Sequence, residues 1–388
     1  MTRELESKSK FNRSEEPITS VFNRIRLIPF AATASIVLGI ATLSFGQEVP
    51  THTFTITAPA DGNPYSVVVV GGDPFSKTPS AVTVDAVLVP VVMQVVETPT
   101  DVAMFDPTAS NYCDPAAHSA VDRFRDSPLV VANDLKFNGV DVGTWQYVPG
   151  FKRAEFWHTN GGQLLDDTIR WTVAAPVTLS AALGKGTVNV GKTGCLYAVV
   201  DNGVISDTLK NTVIPKLQKS GVISTAKFVL FMTIDVEQLK SDGTCCNNGD
   251  HGWMRVNPGD PRQTWGWADY DTHSNVYDGQ NGADIKSLSH EIAEWMNNPY
   301  YDNAPPEWGY IGEAQGKCVA HFEVGDPINS YLAPKTVNHF VYHLQEFAYF
   351  GWFFDGPAGT KYPGAGGAYS SNGTFKGPHN TCPPGGTL

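Results

Sequence analysis

The first apolar feature of the chain is the run 27–45, which follows a basic, polar stretch ending in Asn23-Arg24-Ile25-Arg26. It closes on Ser44-Phe45-Gly46 before Gln47, placing small residues at −3 and −1 of the Gly46–Gln47 bond, so residues 1–46 read as a signal peptide. At about 1.5 Å per helical residue the same run is also long enough to stay as an anchor. No later segment is long and apolar enough to span a bilayer. Beyond the leader a period of two dominates. Residues 53–57 alternate, 65–70 are a β-branched run closed by Gly71-Gly72, and 82–96 are rich in valine around Pro90. Such segments pair into a sheet, and Pro90, which cannot donate to a ladder, predicts an edge or a bulge. Two short helices are expected at 117–124 and 145–157. Then strand and helix patterns alternate: a strand at 195–200, an amphipathic helix at 205–217 interrupted by Pro215, and a buried strand at 227–236. A Gly-, Asn- and Cys-dense loop follows at 241–252, then a strand at 264–270. The Gly/Pro-rich tail from 356 reads as a loop that Cys382 ties down. The fold class this predicts is α+β, with a β-rich N-terminal portion at 47–155 and a mixed portion at 156–388.

The segment 284–299 has the marks of a helix, with Asp284 as N-cap and Pro299 as the stop. At about 100° per residue Ile285, Leu288, Ile292, Trp295 and Met296 share one side, while His290 and Glu294 lie one turn apart on the other. Glu291 flanks that pair. In the His-Glu-x-x-His pattern the residues at i and i+4 bind zinc and the glutamate at i+1 is the general base. Here the second ligand position is Glu294, giving His-Glu-x-x-Glu. A Zn²⁺ held by one His and two carboxylates would be formally neutral, so it would acidify water less and tolerate other metals more. The alternative is an ordinary amphipathic helix with a polar outer face.

Downstream, His321-Phe322-Glu323-Val324-Gly325-Asp326-Pro327 puts His321 and Glu323 on one side if the segment is a strand. Glu323 is the expected third ligand and Asp326 the next in line; a turn before Pro327 would explain both without chemistry. If 337–354 is a helix, His339, His343 and Glu346 share a face. His339 and His343, at i and i+4, would then form a second metal pair, or His343 a transition-state donor; a polar face over buried aromatics is the plainer reading. His251 reads as a lone loop histidine beside the cysteines.

The motif Ser289-His290-Glu291-Ile292-Ala293-Glu294, with Asn298-Pro299 and Glu323-Val324-Gly325-Asp326, resembles the phosphate-induced (Exordium-like) secreted proteins. It is also similar to uncharacterised exported bacterial proteins that share the double Cys, the segment Gly266-Trp267-Ala268-Asp269-Tyr270-Asp271, and a Tyr-His-Leu-Gln-Glu at 342–346. The resemblance covers roughly residue 82 to the C-terminus and is specific around 245–346. It implies a zincin-like metal-binding core in which His290, Glu294 and Glu323 hold the ion and Glu291 is the base.

Charge and cysteines narrow the setting. The formal charge is −12, and residues 1–46 carry six Lys/Arg against four Glu, so the remainder stands at −14. That excludes a chain built to grip nucleic acid or an anionic membrane. All six cysteines lie after the leader, as structural disulfides of a secreted or periplasmic protein would. Six allow 15 pairings, and the adjacent Cys245 and Cys246 could bridge to separate partners, the ordinary case, or to each other. No Gly-x-Ser-x-Gly elbow or phosphate loop is present. The expectation is an exported metallopeptidase-like hydrolase with one Zn ion, acting on peptide or another extracellular polymer. A non-catalytic binding or structural protein with a bracing metal is the alternative, and a carbohydrate-active protein, suggested by nine Trp, the third.

Overall fold

A computed structural model describes residues 46–111, 113–191, 194–272, 284–309, 318–356, 361–379 and 382. The expected leader lies outside them but for Gly46. Among the described residues no helix is long and apolar enough to cross a membrane.

The alternating segment at 53–57 becomes β1 (Thr51–Thr57), paired antiparallel with β2 (Pro64–Val70). The valine-rich segment becomes β3 (Ser80–Thr98), the spine of the largest sheet. Every residue from 86 to 93 is buried, as in a strand covered on both faces. β4 (Asp101–Phe105) returns antiparallel along the end of β3. Then come α1 (Ala120–Asp126), the hairpin β5 (Asn133–Phe137) with β6 (Val140–Trp145), and α2 (Tyr147–Glu155), close to the two helices expected here. β7 (Leu165–Val173) and β8 (Val177–Ala181) run parallel to the first and second halves of β3.

β9 (Gly186–Val190) and β10 (Leu196–Val200) begin a small side sheet. A helical stretch follows, built from α3 (Ser206–Thr208), a π segment (Leu209–Val213) and α4 (Ile214–Lys219). Pro215 does not interrupt it. The helix widens to π geometry just ahead of the proline, whose ring would otherwise meet the carbonyl four residues back. The buried strand becomes β11 (Lys227–Ile234), and Asp235, at φ 53°, turns the chain into β12 (Val236–Gln238), which joins the side sheet beside β10. β13 (Gly249–Met254) and β14 (Gln263–Tyr270) complete the large sheet, in the order β13-β14-β11-β3. β14 and β11 are parallel; β13 is antiparallel and terminal. α5 (Lys286–Asn297) packs on β13 and β14 and against the hairpin of β15 (Leu332–Val337) and β16 (Phe340–Gln345). Among the described residues α6 (Phe350–Phe354) is the last helix with α geometry.

The α+β class and the β-rich N-terminal region are thus present, and the portions read as 47–155 and 156–388 share one sheet through β3. Three expectations are corrected. Pro90 lies in the central strand, at the point where one set of partners hands over to the next. On one side β7 ends opposite Leu88 and β8 begins opposite Val91, so no ladder bond is asked of its nitrogen there. Residues 337–354 are not one helix. Asn338 and His339 take positive φ (48° and 65°), the geometry of a two-residue hairpin turn, and asparagine tolerates it well. Cys245 and Cys246 bond to each other, because Cys113 pairs with Cys195 and Cys318 with Cys382, at Cα separations of 6.0 and 6.1 Å. The peptide between the adjacent pair is cis. Cys382 ties down the tail as expected.

Candidate metal centre

α5 buries the apolar side expected of it: Ile285, Leu288, Ile292, Trp295 and Met296 are all 0% exposed. Trp295 stacks on Phe228 of β11 with ring centroids 3.9 Å apart, which fixes the helix against the sheet. Pro299 ends the helix, with Asn298 as C-cap. Asp284 is not the N-cap. At φ 40° it precedes the first turn, its carboxylate accepting the N–H groups of Ile285 and His343 and pairing with His343 Nδ1 at 2.6 Å. The polar side of α5 is buried too, so it is no solvated outer face. The side chains of His290, Glu291 and Glu294 are 14%, 7% and 5% exposed, facing β13 and the loop before Asp326.

One helical turn brings His290 Nε2 to 3.0 Å from Glu294 Oε2, and Asp326 Oδ1 lies 3.6 Å from the same nitrogen. The other ring nitrogen, Nδ1, sits 2.9 Å from Gln345 Oε1. The amide nitrogen of Gln345 is committed to the Gly325 carbonyl, so Oε1 accepts and Nδ1 carries a proton, leaving Nε2 as the nitrogen that a cation could take. Gly325 donates its N–H to Glu294 Oε1 at 3.1 Å. Its lack of a side chain is required here, since a Cβ would stand 2.5 Å from His290 Nδ1. Glu323 is held by Asn298, whose Nδ2 donates to Oε1 at 2.6 Å while its own Oδ1 accepts the Asn303 N–H. The Asn-Pro that ends α5 therefore also positions the downstream acid.

His251 is the residue that sequence reasoning passed over. It lies in β13, 3% exposed at its side chain, with Nδ1 3.2 Å from Glu291 Oε2 and 3.6 Å from Glu294 Oε2. Its Nε2 is 3.6 Å from Glu323 Oε2, and both of these atoms are buried with no hydrogen-bond partner. Gly249 leaves room for Glu291, whose carboxylate occupies the space a Cβ would need. A signal was present: Asn257-Pro258-Gly259-Asp260-Pro261 is strong turn chemistry, and read back from the strand at 264–270 it marks a hairpin partner at 249–254.

The predicted site residues and His251 therefore fall into two overlapping groups, which part His290 from Glu323. His290, Glu291 and Glu294 lie together, and so do His251, Glu294 and Glu323, with donor atoms in each group within 4.8 Å of one another. The segment at 321–323 is irregular, not a strand. Glu323 turns inward while His321 is exposed against Tyr301, ring centroids 4.9 Å apart. His339 sits in the exposed hairpin turn, so it makes no metal pair with His343. Glu346 is buried and spent on the tail, accepting from Ser370, Asn372 and Thr374.

The electrostatics follow from this crowding. Burial opposes charge on His290, but Glu294, Glu291 and Asp326 overcome it and hold the imidazole well above its ordinary pKa. His251 is likewise raised, burial being outweighed by Glu291 and Glu294. Burial lifts Glu291 above the usual carboxylate range, against the pull of both histidines. Glu323 is lifted further, by burial and by the charges of Glu294 and Asp326. Glu294, despite its burial, is lowered by His290 and His251. The cluster is one in which buried carboxylates demand positive charge and only imidazoles answer. Nitrogen and oxygen donors at these spacings could hold a metal ion.

Fold and site together define an α+β protein with a buried His/Glu cluster suited to a divalent cation. No family model, curated protein or solved structure matches the chain.

Proposed function

We propose that the chain is an exported, zincin-like metal-dependent hydrolase acting on peptide bonds. The observation that carries this reading is the α5 pair, His290 Nε2 and Glu294 Oε2 at 3.0 Å, flanked by Glu291 and faced by the unpartnered Glu323 Oε2. His290, Glu294 and Glu323 would hold one Zn ion. When bound, the ion lowers the pKa of a water toward neutrality and polarises a carbonyl. The chain supplies the rest. Glu291, its carboxyl raised by burial, takes the proton of the attacking water and can return it to the leaving amine. His251 Nδ1 orients that carboxylate, Gln345 fixes the tautomer of His290, and Asn298 aims Glu323. β13 is the terminal strand of its sheet and carries His251 into the site, so an extended peptide added along that edge would lie beside the cluster. Export accords with three cysteine pairs at disulfide distance. The resemblance to Exordium-like proteins supports the same ligand positions.

Glu291→Gln tests the assignment. The variant should keep its metal and lose hydrolysis of a cleaved peptide by about 10²–10⁴-fold. Full activity in that variant, or purified protein carrying no stoichiometric metal, refutes the proposal.

One observation favours a second reading, a binding or structural protein braced by its metal. The donors are deeply buried, and His251 is available as a fourth protein ligand that would close the site. Chelation would then lower the melting temperature, and no peptide library would be cleaved. None of the nine Trp is exposed and five are buried, so the tryptophans add no support to a carbohydrate-active protein.

A further inference from the structure

We propose that the cluster holds two divalent cations bridged by Glu294, the second one bound by His251 and Glu323. The inference deepens the hydrolase reading and rests on it for the first ion, which keeps His290 and Glu294; Glu323, grouped with His251 and not with His290, passes from that ion to the second. Its ground is the way the donor atoms sort. His290 Nε2 faces Glu294 Oε2 at 3.0 Å and Asp326 Oδ1 at 3.6 Å. His251 Nε2 faces Glu323 Oε2 at 3.6 Å, and Glu294 belongs to this group as well. Ligands of a four-coordinate ion bound at about 2.0–2.1 Å stand roughly 3.3 Å from one another, so these are ligand-to-ligand spacings. The two imidazoles fall in different groups, with Glu294 common to both. Paired ions in co-catalytic sites lie about 3.5–4 Å apart, a separation one carboxylate can bridge.

A second, independent observation points into the His251 side. The side chains of His251 and Glu323 are each 3% exposed, yet Nε2 and Oε2 have no hydrogen-bond partner and stop 3.6 Å short of each other. Both partners are otherwise fully engaged: Nδ1 lies against Glu291 Oε2, and the other Glu323 oxygen accepts from Asn298. Two atoms left bare in this way, one an imidazole nitrogen and one a carboxylate oxygen, are what a bound cation consumes. Charge agrees. Among the described residues Glu291, Glu294 and Glu323 pair with histidine and with no lysine or arginine. Asp326, 3.6 Å from His290 Nε2, makes four carboxylates around the cluster, which one dication leaves at −2 and two would neutralise.

The test is a count. Purified full chain is stripped with a chelator, dialysed, reloaded with Zn²⁺, and bound zinc per chain is measured by elemental analysis; Mn²⁺-loaded samples are read by electron paramagnetic resonance. The wild type should bind two zinc ions and show a spin-coupled manganese pair. Glu323→Gln, which is isosteric, and His251→Ala should each bind one and show only isolated Mn²⁺; circular dichroism confirms that each is folded, and either one suffices. One zinc per wild-type chain overturns the second site and leaves the hydrolase reading standing. None overturns both. Two ions retained in both variants overturn the assignment to His251 and Glu323.

Discussion

The role of His290 can be tested without touching a ligand, by filling the space beside it. In Gly325→Ala the new methyl would stand 2.5 Å from His290 Nδ1, 2.7 Å from Cε1 and 3.0 Å from Glu294 Oε1. An ordinary contact needs about 3.5 Å, so the imidazole must retreat by roughly 1 Å. Backbone strain adds nothing, because Gly325 has φ −87° and ψ −35°, a conformation open to alanine. The retreat breaks the 2.9 Å bond between Nδ1 and Gln345 Oε1 and moves Nε2 away from Glu294. Loss of such an orienting partner lowers metal affinity about 10–100-fold, or roughly 1.4–2.8 kcal/mol at about 1.4 kcal/mol per decade. Competition for Zn²⁺ against a chromophoric chelator measures it, with the melting curve as a check on folding, where overpacking costs about 1–3 kcal/mol. A folded Gly325→Ala protein with wild-type zinc affinity would refute the placement of His290 as a ligand.

Other consequences lie outside the cluster. Lys152→Met should cost about 3–5 kcal/mol in urea denaturation. It strands Asp167, now 2.7 Å from Nζ in a pair 1% and 2% exposed, and it frees the carbonyls of Val70 and Gly72; a loss under about 1 kcal/mol would argue against a buried pair. His343 is held above its ordinary pKa by its hydrogen bond to Asp284, burial opposing. The stability this contributes is fully present below about pH 6.5 and is lost as pH rises through the raised folded value. His343→Gln should flatten that part of the melting profile against pH, and an unchanged slope would contradict the pairing. Replacing Cys318 and Cys382 by serine opens a loop of sequence separation 64 and should cost about 4 kcal/mol on the chain-entropy estimate, read by denaturant titration of the oxidised protein.

Local pattern determined a good deal of this protein. The apolar stripe of 284–299 is enough to predict α5, its buried side and the adjacency of His290 to Glu294, since a 3.6-residue period places i and i+4 together wherever the helix sits. Alternation and β-branched runs likewise predicted β1, β2, β3, β11 and β14. Where two periods compete the pattern misled. His339, His343 and Glu346 fit a helix face, yet a turn at Asn338-His339 makes the same text a hairpin.

What only the tertiary structure decided is which distant segments meet. His251 reaches Glu291 across 40 residues, Gln345 reaches His290 across 55, and the Asn298 amide reaches Glu323 across 25. The pairing of Cys245 with Cys246 was settled by where the other four cysteines ended up. The burial of the polar side of α5, which gathers its His and Glu side chains into a cluster that could hold a metal ion, depends on β13 and the 323–326 loop closing over it. Periodicity reports the direction in which a side chain points; it carries no information about what stands opposite, and that is set by sheet order and loop path.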